Sequence, residues 1–156
     1  MWRSFSQSAK RNRKYELRVM KFRIQNSKFV IRGKVVHGEH YGKALGFPTA
    51  NLDRRGYVRR KLKVGCGVYA GWAEIAPSAK RQAFRKHKAA IVIGPMDKKA
   101  LPKIEAHLIG FKGGLYGKYL NLYLYLYLRP FKKFKTEAQL KRQITKDISR
   151  VKKLNT

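Results

Sequence analysis

The chain has only eight carboxylates in 156 residues, so each can be weighed as a proton acceptor. Glu16 lies near the N-terminus, Asp53 and Asp97 in polar loops, and Glu137 and Asp147 in a C-terminal helical pattern. Glu39 stands in a glycine-rich stretch and Glu74 at the end of a strand-like run. Glu105 is different: it sits in such a run between Ile104 and Ala106, just before His107 and Leu108. A strand carboxylate beside basic groups stays ionised and can accept a proton from a hydroxyl, although a lone strand Glu is more often simply an exposed position. A second candidate set lies in Gly33–Leu52, with glycines at 33, 38, 42 and 46, then Pro48, Thr49, Ala50 and Asn51. Thr49 and Asn51 are hard oxygen donors at i, i+2, which extended backbone points to one side. Glycine turns can present N–H groups to an anion, and Lys43 adds a mobile positive charge. Hydroxyl and amide oxygens beside bound phosphates suit Mg²⁺. The same spacing also describes a plain glycine-rich loop closed by a proline turn.

Other chemistries find no support. There is no G-x-x-x-x-G-K-(S/T) loop, no protein-kinase motif set and no nucleophile elbow. The four histidines and Cys66 show no zinc-ligand spacing. One cysteine excludes an intramolecular disulfide and fits a reducing compartment. No apolar run approaches the roughly 20 residues that span a bilayer. The charge is unusual: 38 Lys and Arg against eight acids give +30. Such an excess speaks of polyanion affinity, RNA foremost, or of a basic bias spread over the surface.

These residues need elements to hold them. Residues 1–28 carry nine Lys/Arg against Glu16 alone and read as a basic extension. A mitochondrial presequence, or a functional start at Met20, are the alternatives. Residues 29–156 are then one domain. Phe29–Val36 is the expected first strand, and Asp53–Lys63 a basic loop. Gly67–Ile75 and Lys88–Ile93 should form a hairpin across the polar connection Ala76–His87, with Gly94 and Pro95 ending it. Lys103–Phe111 is the next strand. In Tyr119–Leu128 the alternation is strict, placing Leu120, 122, 124, 126 and 128 in the core and the tyrosines on the other face. A final helix should start at Thr136, an N-cap with Gln139 three residues on. Its apolar stripe, Leu140, Ile144, Ile148, Val151 and Leu154, is expected to cover the tyrosine face, the alternative being that the tyrosines and nearby lysines stack on RNA bases. Many strands followed by one helix argue for a small barrel or open Greek-key sheet with one helix packed on it.

The glycine-rich stretch resembles the riboflavin kinase signature G-x-V-x-x-G…G-(R/K)-x-L-G-(F/I)-P-T-A-N, with LGFPTANL at 45–52 its most specific part. The resemblance continues through GVYAGWA at 67–73, EAHL at 105–108, LYG at 115–117 and LRPFKKF at 128–134. It implies a mainly β, six-stranded Greek-key barrel with one C-terminal helix, and phosphoryl transfer from ATP to the ribityl 5′-hydroxyl of riboflavin, giving FMN. It further implies Glu105 as catalytic base and Thr49 and Asn51 as ligands of Mg²⁺ or Zn²⁺. Gly38, Lys43, Leu108, Gly110 and Tyr116 would contact ATP, and Arg129, Lys132 and Phe134 the flavin. Two departures stand out. Phe131 occupies a place where the family often has Glu, and the segment between Ile93 and Glu105 is short. A monomer in the cytoplasm is expected, without FAD synthesis, since no adenylyltransferase-sized segment precedes the kinase region. The competing reading is an RNA-bound, ribosome-associated basic protein that uses the same fold.

Overall fold

The computed structural model describes residues 30–55, 57, 64–78 and 83–155; the basic extension expected at 1–28 lies outside them. Among the described residues, six strands and two helices follow in the order β1 (Val30–Val36), α1 (Tyr41–Ala44), β2 (Ala50–Leu52), β3 (Gly67–Ile75), β4 (Arg85–Met96), β5 (Pro102–Leu108), β6 (Tyr119–Arg129) and α2 (Glu137–Lys152). The strands close into an antiparallel barrel in the order β1-β2-β5-β4-β3-β6. Strands β3, β4 and β5 form a meander, and β6 returns beside β3. That is the Greek-key path, as expected.

Period-2 alternation builds the core. Ile31 and Val35 from β1 meet Ile91 and Ile93 from β4, Ile104 and Ala106 from β5, and Leu120, Leu122 and Leu124 from β6. A closed barrel leaves no unpaired edge, so the outward residues are free to carry function.

Four expectations for the strands change. β4 is longer than Lys88–Ile93: Arg85–His87 continue the ladder against Ala73–Ile75, with the Arg85 and Lys86 charges at the exposed end of the hairpin. Gly94 and Pro95 do not end it, because a register shift between Ile93 and Met96 accommodates a residue without an N–H. β5 stops at Leu108 rather than Phe111. In β6 the alternation holds only to Leu124. Register shifts against β3 between Val68 and Tyr69 and between Ala70 and Gly71 re-aim the remainder of the strand. Leu126 is 40% exposed, Tyr127 turns inward against Tyr69, and Leu128 packs on the barrel's outside.

Helix α2 begins where expected, with the Thr136 hydroxyl accepting from the Gln139 N–H at 3.2 Å. It does not cover the tyrosines. Val151 and Leu154 instead pack on Val68 and Ala70 of β3, Ala90 of β4 and Leu128. Among the described residues, no helix is long and apolar enough to cross a membrane.

Candidate active site

Strands β2 and β5 pair with Ala50 opposite Ala106 and Asn51 opposite Glu105. Both alanines point into the core, so alternation turns Asn51 and Glu105 outward together. Directly opposed residues on one face have Cβ atoms about 5 Å apart. The same face of β5 carries Lys103 and His107. The Lys103 ammonium lies 3.3 Å from the Glu105 carboxylate and 3.6 Å from that of Glu39. It therefore links the glycine loop to the strand bearing Glu105. His107 Nδ1 lies 2.8 Å from the Pro48 carbonyl. A carbonyl only accepts, so Nδ1 carries the proton. That bond holds the turn before Thr49 against β5.

The loop wraps the two oxygen donors closely. A Cβ built on Gly38 would stand 2.1 Å from Asn51 Nδ2 and 2.4 Å from its Cγ. One built on Gly42 would stand 2.6 Å from the Phe47 carbonyl and 3.2 Å from Thr49 Oγ1. Glycine is required at both places because the loop backbone lies against these groups.

Two cavities flank this face. The first is lined by Phe47, Thr49 and His107 at one end, by Arg129 at the end of β6 with Lys132 and Phe134 after it, and by Leu140, Ile144 and Ile148 of α2. The second is lined by His37, Gly38, Asn51, Arg54 and Met96. Glu39, Lys103, Glu105 and Phe131 border both. On the rim of the second, Arg54 pairs with Asp97, and this hydrogen bond first of all holds the Asp97 carboxyl below the usual range.

A family profile described as riboflavin kinase matches residues 25–155. The chain belongs to the riboflavin kinase family. It is 36% identical over 129 residues to riboflavin kinase of Mus musculus, covering 80% of this chain and 79% of that protein. It is 33% identical to the bifunctional riboflavin kinase/FMN adenylyltransferase of Buchnera aphidicola, covering 80% of this chain but 38% of that longer protein. The crystal structure of riboflavin kinase from Trypanosoma brucei superposes with a TM-score of 0.61 at 28% identity, covering 79% of this chain and 76% of that one.

The residues expected from the family's signature do not all come together. Glu105, Thr49, Arg129, Lys132 and Phe134 share the first cavity, and Glu105, Asn51 and Gly38 the second. Lys43 lies in α1, one residue beyond Gly42, and lines neither cavity. The Leu108 side chain is 5% exposed in the barrel core, so only its backbone can face a ligand. Gly110 lies in the turn after β5, with open space around its Cα. Tyr116 is 63% exposed and stacks on His37 at 3.8 Å, at the edge of the second cavity.

Arg129 is less free than expected. Its Nε and Nη2 donate to the Asp147 carboxylate at 3.0 and 2.8 Å, and Nη1 donates to the Pro130 carbonyl. Asp147 is 3% exposed and also accepts from Gln143. The guanidinium is thus a bracket between β6 and α2, with its carbon 5.7 Å from the Phe134 ring centroid; the Lys132 ammonium lies at the same distance. Sequence alone marks Asp147 only as a helix acid, because nothing in the local pattern pairs it with a residue eighteen positions before it. Replacing Asp147 with Asn is expected to loosen Phe134 and raise the KM for riboflavin about tenfold with a smaller change in kcat, the sign of lost ground-state binding. Steady-state kinetics check this; an unchanged KM removes the bracket role.

Proposed function

We propose that this chain is a riboflavin kinase, transferring the γ-phosphoryl group of ATP to the ribityl 5′-hydroxyl of riboflavin. One observation carries the reading: an aromatic and apolar cavity and a second one bordered by the glycine loop share the outward strand carboxylate Glu105, with the loop's Glu39 beside it. The first suits an isoalloxazine ring against Phe134 and the apolar side of α2. The second, with the glycine loop, Arg54 and Lys103, suits nucleotide phosphates.

Phosphoryl transfer depends mainly on positioning and charge neutralisation. Glu105 accepts the proton of the attacking hydroxyl. Lys103, already between Glu39 and Glu105, balances charge where the phosphates enter. His107 keeps the Thr49 turn on β5.

Among the described residues no group of three His, Cys, Asp or Glu is placed to hold a metal. Thr49 and Asn51 instead offer neutral oxygens in the space that Gly38 and Gly42 leave open. That donor set fits a hard divalent cation bound together with phosphates, and Mg²⁺ is the proposed ion. When bound, it supplies neutralisation of the phosphate charge.

The test is incubation of the protein with ATP, MgCl₂ and riboflavin, with FMN and ADP quantified by chromatography. Equal amounts of FMN and ADP are expected. ADP without FMN, or neither, overturns the reading.

A further inference from the structure

One surface plays no part in this chemistry. Six strands in a ring put β6 three places from β5, on the far side of the barrel from Glu105. The outward face of β6 carries Tyr119, Asn121, Tyr123 and Tyr125, which α2 leaves uncovered. Tyr119 is 51% exposed and Tyr125 42%. On β3, Trp72 is registered against Tyr123 and meets the Tyr125 ring edge-on, with centroids 5.1 Å apart.

Cations flank the rings on both sides. Arg32 and Lys34 on β1 are exposed and registered against Asn121 and Tyr119. On the other side the Lys86 ammonium stands 5.0 Å over the Trp72 ring. Lys88 donates to the Lys152 carbonyl at 2.9 Å, so the basic last turn of α2 borders the patch. Glu74 is the sole carboxylate on β1, β3, β4 and β6, and it accepts the Tyr123 hydroxyl at 2.7 Å. That bond raises the phenol's pKa and leaves the patch net positive.

Exposed rings on a pleated surface, with cation rows either side, match the chemistry of a single nucleic-acid strand: bases stack on the rings and phosphates follow the cations. A duplex keeps its base faces stacked on each other and cannot use the rings. A membrane surface would want a broader aliphatic patch than Leu126 provides.

We propose that the outer β4–β3–β6–β1 face is a platform for single-stranded nucleic acid. Tyr119 and Tyr125 are its stacking rings, and Arg32, Lys34 and Lys86 its phosphate contacts. The platform is independent of the kinase cleft and can be occupied while that cleft turns over.

The test is fluorescence anisotropy of the full chain with a labelled twelve-nucleotide oligouridine, against an equal-length RNA duplex and phosphatidylserine vesicles, from 50 to 200 mM KCl. Three phosphate contacts predict a log–log salt slope of roughly −2. The Tyr119→Ala/Tyr125→Ala double variant should bind about 30-fold more weakly or worse, with unchanged FMN formation. Arg32→Gln/Lys34→Gln should reduce the slope by about 1.4, and serves if the tyrosine variant fails to fold. Unchanged affinity in the variants would place binding on other basic segments, residues 1–28 included, and overturn the platform. So would preference for the duplex, binding to vesicles alone, or weak binding that ignores salt.

Discussion

Replacing Glu105 with glutamine should lower kcat for FMN formation by about 10²–10⁴-fold, the usual worth of a positioned general base. The amide keeps the size of the carboxylate but cannot take the hydroxyl proton. Asn51 stays in register, since the β2–β5 ladder is a backbone pairing. The Lys103 contact loses its charge, yet at a partly exposed site such a pair contributes no more than about 1 kcal/mol. Riboflavin affinity should change little, because the proposed ring contacts come from Phe134 and the α2 side chains. Single-turnover kinetics with saturating Mg-ATP, beside quenching of riboflavin fluorescence, separate the two quantities. A variant with near-normal kcat would remove Glu105 from the base role.

Gly38→Ala should cost about 100-fold in kcat/KM for Mg-ATP, with the barrel intact. The added methyl carbon would fall 2.1 Å from Asn51 Nδ2, a distance no pair of non-bonded heavy atoms tolerates. Either the Asn51 amide rotates away or the loop lifts off β2. Both displace an oxygen donor by an ångström or so, and misplacements of that size are worth about 10²-fold. Gly38 lies beyond the end of β1 and outside the core, so thermal unfolding should move little. Circular dichroism melts and nucleotide titration at several Mg²⁺ concentrations check both halves. A large fall in Tm with unchanged kcat/KM per folded molecule would make Gly38 a folding residue and not a site residue.

How far the sequence can be read depends on how local the signals are. Alternation in Ile31–Val35 and Leu120–Leu124 locates the core, since burial on one face of a strand imposes period 2. The Thr136 cap and the α2 stripe lie within one helix and are equally plain. The same rule fails after Leu124, where the shifted β3–β6 register exchanges inside for outside. Only the partner strand determines such a shift, so β6 alone cannot announce it. The expected face for the helix is wrong for a related reason: an apolar stripe says that something is covered but not what.

The site divides in the same way. LGFPTANL and EAHL point to Thr49, Asn51 and Glu105 through resemblance, while their meeting is a product of the β2–β5 pairing. Strand β2 is three residues long and is legible only as an extended possibility. The Lys103 link, the His107–Pro48 bond and the Asp147–Arg129 bracket depend on how separate elements pack, and no local pattern carries them. Leu108 shows the reverse case. It matches a family position, yet parity with Ile104 and Ala106 puts its side chain in the core.

The central claim is that two cavities share Glu105, and a crystal structure of the chain with Mg-ADP and riboflavin tests it most directly. The account predicts the isoalloxazine against Phe134 and α2, the diphosphate beside Gly38 and Asn51, and the Glu105 carboxylate about 2.6–3.2 Å from the ribityl 5′-oxygen. Riboflavin bound with that oxygen turned away from Glu105, or nucleotide and flavin in cavities that do not meet there, would contradict it.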